Sequence, residues 1–163
     1  SYALISTAAG VFRYVPPTTP EGAWDVTCLL VQPTSDIVAT DFDGDGKLEI
    51  LTFSKFHGDT LAIWHEGQTR DRYEQVWCDP QKRSFLHALW AADLNGEKCA
   101  VIGNRKDGRD LLLVRYVDGE YTVDVIDHDL GPANCMVYRH DGSDYIVAAY
   151  RETDQLALYK VVE

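Results

Sequence analysis

Asp41-Phe42-Asp43-Gly44-Asp45-Gly46-Lys47-Leu48-Glu49-Ile50 decides how the rest of the chain is read. Four carboxylates, Asp41, Asp43, Asp45 and Glu49, fall on odd-numbered positions of one short loop. Gly44 and Gly46 let the backbone fold back so that these oxygens converge. Without a cation, such a group repels itself strongly. A hard ion such as Ca²⁺, which takes about 6–8 oxygens, turns that repulsion into coordination. The backbone carbonyl of Lys47 offers one oxygen more. The expected ligands are therefore Asp41, Asp43, Asp45, Lys47 and Glu49, and the expected role of the calcium is structural. The alternative is an acidic surface turn without metal.

An EF-hand is excluded by two features. Its loop ends on a bidentate Glu at the twelfth position, and here that position is Thr52. Its flanks are helices, whereas Ile37-Val38-Ala39-Thr40 and Ile50-Leu51-Thr52-Phe53 read as strands.

Working outward, helical periodicity is almost absent. Short apolar or alternating runs recur between Gly, Asp, Asn and Pro, which predicts an all-β chain. Asp41-Phe42-Asp43-Gly44 has counterparts in Asp93-Leu94-Asn95-Gly96 and Arg139-His140-Asp141-Gly142, at separations of 52 and 46 residues. Each turn joins a strand a to a strand b: Leu48–Phe53, Cys99–Ile102 and Tyr145–Ala149. A strand c follows: Leu61–Trp64, Leu111–Val114 and Leu156–Tyr159. A strand d follows twice, at Tyr73–Cys78 and Tyr121–Ile126. Tyr2–Ser6, Val11–Val15 and Trp24–Val31 fit strands b, c and d of an earlier unit.

Four-stranded units of roughly 40–50 residues build β-propellers of about 4–8 blades. The predicted fold is a partial or half propeller of about three and a half blades, in one continuous segment, 1–163. The units run 1–33, 34–80, 81–130 and 131–163. A partial ring leaves apolar blade faces uncovered, so self-association or a longer parent chain is expected.

The composition narrows the partners. The 163 residues are 45% hydrophobic, which suits a globular domain, and the formal charge of −11 argues against nucleic acid and anionic membranes. No apolar run approaches the roughly 20 residues of a membrane-spanning helix. Ser1-Tyr2-Ala3-Leu4-Ile5-Ser6 carries neither an initiator Met nor a signal-peptide pattern and reads as the interior of something longer. Cys28, Cys78, Cys99 and Cys135 match no zinc spacing. Buried free thiols are expected over two disulfides, and with them a reducing, cytoplasmic location.

The acidic loop and its flanking strands resemble the calcium loop of FG-GAP and VCBS-type propeller repeats, which have Asp-x-Asp-Gly-Asp-Gly followed by an acidic residue and Ile. The resemblance implies a propeller with calcium between strands a and b. It covers the whole chain in period, but only residues 41–50 match closely. The second unit has Asp93, Asn95 and Glu97 but Val101 where Glu49 falls; the third has Arg139 in place of Asp41. Metal-free turns are expected in both.

A meander sends its a–b and c–d loops to one end and its b–c and d–a connections to the other. At this second end His57, His87, Arg105, Arg109, His128, Asn134 and Arg151 are expected on one face. Loops on a rigid scaffold often carry function, and Arg forks suit carboxylate, phosphate or polyhydroxyl ligands. Phe85-Leu86-His87-Ala88-Leu89-Trp90, with the run from Asp127 to Asn134, is similar to the propellers of the aldos-2-ulose dehydratase group. That similarity implies dehydration of an oxidised sugar near a metal-bound histidine cluster, with His87 as base or ligand of a second metal and His57 and His128 beside it. His65 and His140 read as structural or solvent-facing, and Trp24, Trp64, Trp77 and Trp90 as packing between blades. No phosphate loop or nucleophile elbow is present.

Two functions follow as expectations. One is a calcium-stabilised scaffold that holds loops out to a carbohydrate or protein ligand. The other is a lyase acting on an oxidised sugar. The enzyme needs at least two of His57, His87 and His128 within a few ångströms of each other.

Overall fold

Fourteen β-strands and no helix make up residues 1–162, the part of the chain described by the computed structural model; Glu163 lies outside it. The strands form four antiparallel meanders in chain order. The first holds β1 (Ala3–Thr7), β2 (Gly10–Val15) and β3 (Asp25–Leu30). The second holds β4 (Thr34–Thr40), β5 (Glu49–Ser54), β6 (Leu61–Glu66) and β7 (Tyr73–Cys78). The third holds β8 (Leu86–Leu94), β9 (Glu97–Asn104), β10 (Leu111–Val117) and β11 (Glu120–Asp127). The fourth holds β12 (Pro132–His140), β13 (Ser143–Tyr150) and β14 (Gln155–Lys160). Among the described residues no helix is long and apolar enough to cross a membrane.

Side chains alternate between the two faces of a strand, so a sheet covered on both faces needs apolar residues at every position. β9 shows this. Ala100 and Ile102 enter a core shared with Leu51, Phe53, Leu61 and Ile63 of the second sheet. Cys99 and Val101 turn the other way, into a core with Cys135, Ile146, Ala148 and Tyr150 of the fourth. A third core joins Val11, Leu29 and Leu30 to Ile50. The four sheets thus stack face to face in sequence order. Along one side β1 packs on β4, β4 on β8 and β8 on β12.

The units repeat in their irregularities as well as in their strands. The first strand of each of the last three sheets carries a register shift at its start, between Thr34 and Asp36, Leu86 and Ala88, and Pro132 and Asn134. The extra residues are Ser35, His87 and Ala133. A bulge re-aims the side chain it carries, and His87 is the one large polar side chain of the three.

The turns after these strands differ. β4 and β5 are joined by residues 41–48, since Thr40 pairs with Glu49. β8 and β9 are joined by Asn95-Gly96 alone, and β12 and β13 by Asp141-Gly142 alone. Both short turns have positive φ at both residues, 53° and 90° in one and 46° and 77° in the other. That is the type I′ geometry that matches the twist of a hairpin.

Two expectations need correction. All four cysteines are free, but only Cys99 and Cys135 are buried; Cys28 is half-buried and Cys78 exposed, because both lie on outer strands. Trp24 and Trp90 are exposed rather than packed between sheets. Trp64 and Trp77 do pack, Trp77 lying 6.0 Å from Tyr121 of the neighbouring sheet.

Candidate metal centre and the opposite loops

The acidic loop is shaped by its own side chains. The Asp41 carboxylate accepts the N–H groups of Gly44 and Gly46, at 2.8 and 3.1 Å. Asp43 accepts from the Asp45 N–H at 3.1 Å, and Asp45 from the Lys47 N–H at 2.8 Å. These side-chain turns are the habit of Asp in loops. They wind the chain while leaving other carboxylate oxygens free to face inward.

Glu49, the first residue of β5, has its side chain fully buried. Its Oε2 accepts the Phe42 N–H at 2.5 Å. Its Oε1 is buried and has no hydrogen-bond partner. Burial pushes the Glu49 carboxyl up to about 7, with the charges of Asp43 and Asp41 adding to the rise against the Phe42 N–H and His65.

Asp43, Asp45, Glu49 and His65 form a group whose candidate ligand atoms all lie within 4.8 Å of one another, a geometry able to hold a metal ion. His65 is the member that the sequence reading missed. Its Nε2 lies 3.2 Å from Asp45 Oδ2 and 3.5 Å from Glu49 Oε1. Burial pulls this imidazole down, but the Glu66 carbonyl, Asp45 and Glu49 outweigh it and hold its pKa above the ordinary value. A signal was present. Ile50 pairs with Trp64, and continuing that antiparallel register by one step sets His65 across from Glu49. Asp41 lies outside the group of four, and both of its oxygens accept N–H groups of the turn. The Lys47 N–H belongs to the same winding.

The group opens on a cleft of about 610 Å³ between the second and third sheets, lined by Asp43, Asp45 and His65 and by Trp77, Tyr116 and Tyr121. Tyr116 and Tyr121 are 4.8 Å apart between ring centres. Burial, then the charges of Glu49 and Asp43, keep the Tyr121 phenol protonated well above its usual range.

The corresponding turns hold their carboxylates differently. Asp93 accepts the Gly96 N–H and pairs with Lys98 Nζ at 2.6 Å. Buried Asp144 pairs with Arg139 at 3.3 Å and accepts the Asn95 N–H of the neighbouring sheet at 2.8 Å. His140 is exposed and lies 3.3 Å from Asp141.

At the opposite end two of the three candidate histidines meet. The His57 and His87 rings lie 5.4 Å apart, with the Phe85 ring tilted against His57 at 3.9 Å between centres. His57 and Phe85 have φ of 51° and 62°, a left-handed backbone that bulky residues rarely adopt. Burial, His87 and the cations of Arg105 and Lys106 lower the His57 pKa. His87 Nδ1 lies 2.8 Å from the Ala133 carbonyl. His128 stands apart, with Asp129 at 2.9 Å, and this carboxylate is the first cause of its raised pKa.

The remaining candidates are largely engaged. Arg105 reaches across to Glu152 at 2.5 Å and lies over the Phe85 ring. Arg109 is 3.7 Å from Asp129. Asn134 accepts the Cys135 N–H at 2.9 Å and lines a small groove with Trp90 and Met136. Arg151 is exposed beside Tyr150. Buried Arg83, on Asp79 at 2.9 Å and Asp110 at 3.6 Å, locks the second sheet to the third at this end. No protein-family model matches this chain, and no curated protein matches it.

Proposed function

We propose that the chain is part of a β-propeller of the FG-GAP and VCBS type, a cation-stabilised scaffold that presents a cleft and loops to a carbohydrate or protein ligand. One observation carries the reading. A buried, unpartnered Glu49 oxygen joins Asp43, Asp45 and His65 at the mouth of a cleft whose wall is Trp77, Tyr116 and Tyr121. A cation there relieves the buried charge and stiffens the loop. Taken alone, the loop's carboxylates suit a hard divalent ion such as calcium or manganese. Aromatic walls beside polar donors are common in ligand sites. Leu156 and Leu158 lie 79% and 58% exposed on β14, which fits continuation of the ring by a second copy or by more of the parent chain.

The test is glycan-array binding followed by calorimetry with the sugars found, in calcium, in manganese and in chelator, on the chain and on Trp77→Ala. Cation-dependent sugar binding that Trp77→Ala removes is the expected result. Calcium stabilisation without any glycan binding points to a protein ligand. A chain indifferent to calcium and manganese that binds no glycan overturns the reading.

A second reading, a lyase for an oxidised sugar, rests on the His57–His87 pair held by strained backbone. Strain of this kind clusters at functional sites, and a lowered His57 pKa keeps a neutral imidazole available as a base. Loss of an aldosulose substrate, followed by absorbance of the unsaturated product and abolished in His87→Ala, would support it. No turnover by the assembled protein would remove it.

A further inference from the structure

We propose that His65 Nε2 is a metal ligand, so that the acidic loop and β6 together form a mixed nitrogen and oxygen centre that selects manganese(II) over calcium. The inference rests on the reading that the loop holds a cation, and it names the ion's class.

The argument starts from a proton. His65 Nδ1 lies 2.8 Å from the Glu66 carbonyl oxygen. A carbonyl only accepts, so Nδ1 carries the hydrogen. In the neutral ring Nε2 is then a bare lone pair. It lies within hydrogen-bond distance of Asp45 Oδ2, at 3.2 Å, and 3.5 Å from Glu49 Oε1. Glu49 Oε1 is buried and has no hydrogen-bond donor. With the ring neutral and both carboxylates ionised, acceptors from three side chains converge; a proton on Nε2 bonding Asp45 Oδ2 or a metal cation can fill the gap, and the cation also answers the Glu49 Oε1 that has no hydrogen-bond partner. A ring whose far nitrogen donates to a backbone carbonyl is also the usual posture of a metal-bound histidine.

The donor set then selects the ion. Calcium takes oxygen ligands almost exclusively. Imidazole suits transition metals, while carboxylates suit manganese as well as calcium. Three carboxylates and one imidazole satisfy manganese(II) on both counts. Four protein donors leave about two of the six positions of an octahedral ion, on the side where Asp43, Asp45 and His65 line the cleft.

The test uses the purified chain stripped with chelator, then titrated with Mn²⁺ or Ca²⁺ alone. Pulsed paramagnetic resonance of the Mn²⁺ form should show coupling to a directly bound ¹⁴N, absent in His65→Gln. Calorimetry should show Mn²⁺ binding about tenfold or more tighter than Ca²⁺, a preference lost in His65→Gln. The nitrogen coupling is read on the native protein, so it stands even if the variant folds poorly. Mn²⁺ binding without nitrogen coupling, or calcium bound as tightly as manganese, overturns the proposal but leaves the cation reading of the loop intact. If neither ion binds, both readings fall, and a proton on His65 is what separates the acceptors.

Discussion

The loop between Thr40 and Glu49 and the turns at Asn95-Gly96 and Asp141-Gly142 hold the same place in successive sheets, yet they handle negative charge in opposite ways. In the short turns a resident cation covers the carboxylate: Lys98 covers Asp93, and Arg139 covers Asp144. In the long loop no lysine or arginine among the described residues pairs with Asp41, Asp43, Asp45 or Glu49; only His65 approaches. The extra six residues also bring Glu49 into the core with one oxygen unanswered. Equivalent turns can thus diverge into one whose carboxylate has a resident cation and one whose carboxylates have none. Any dependence of stability on divalent metal should come from the second sheet alone.

The largest expected effect tests that directly. A divalent ion at about a hundredfold its dissociation constant should stabilise the chain by roughly 2.7 kcal/mol. Glu49→Gln should remove this increment while leaving the chelated protein as stable as before or more so, since it deletes a buried charge and keeps an acceptor for Phe42 N–H. Asp43→Ala should also lose the increment. Urea melts with metal and with chelator measure both. A full increment in Glu49→Gln would put the ion elsewhere and end the contrast between the turns.

How far the sequence showed this follows from what each signal encodes. Alternation and turn residues are local, so the strands around Ile50, Val101 and Val147 and the turns at Gly96 and Gly142 were legible. The convergence of Asp43, Asp45 and Glu49 was legible too, because these carboxylates lie close together in the chain. His65 was not, because it comes from another strand and its relevance depends on register with Glu49. The loop arginines were read as open to a ligand, whereas Arg105 is held by Glu152, 47 residues away. Such pairs form between sheets, and one unit's sequence does not reveal them. The exposure of Trp24 and Trp90 has the same origin: alternation tells which residues share a face but not what covers it.

Next in size is Asp144→Ala. This change strips the buried acceptor from the Asn95 N–H, and leaving that donor unanswered should cost about 1–3 kcal/mol. Asp144→Asn, which keeps an oxygen, should cost less. Neither loss should change with chelator. A metal-dependent loss would mean that this turn also binds an ion.

Cys99, behind the Asn95-Gly96 turn, gives a pH signature. Burial raises its thiol from 9.0 to about 12. The folded chain keeps this proton where the unfolded chain gives it up. The stabilisation is complete below about pH 9 and is lost as pH rises from about 9 towards 12, at about 1.4 kcal/mol per unit. Urea melts at pH 8 and 10 should show about 1 kcal/mol more loss in the native chain than in Cys99→Ala. Equal losses would mean that water reaches the thiol and that the short turn does not seal its sheet.

The smallest change in stability should come from Lys98→Ala, and it bears most closely on why the turns differ. Lys98 and Asp93 side chains are each 48% exposed, so solvent and salt screen their attraction. The melting shift should be smaller than for Asp144→Ala and should vanish at high salt. The informative measurement is the response of this variant to divalent ions. If loop length sets the difference, Lys98→Ala should remain indifferent to metal, because the two-residue turn brings no buried carboxylate or imidazole to Asp93. If the variant instead gains a metal-dependent increment, the resident lysine was what kept an ion out. The distinction between the turns would then lie in one side chain rather than in the eight-residue loop.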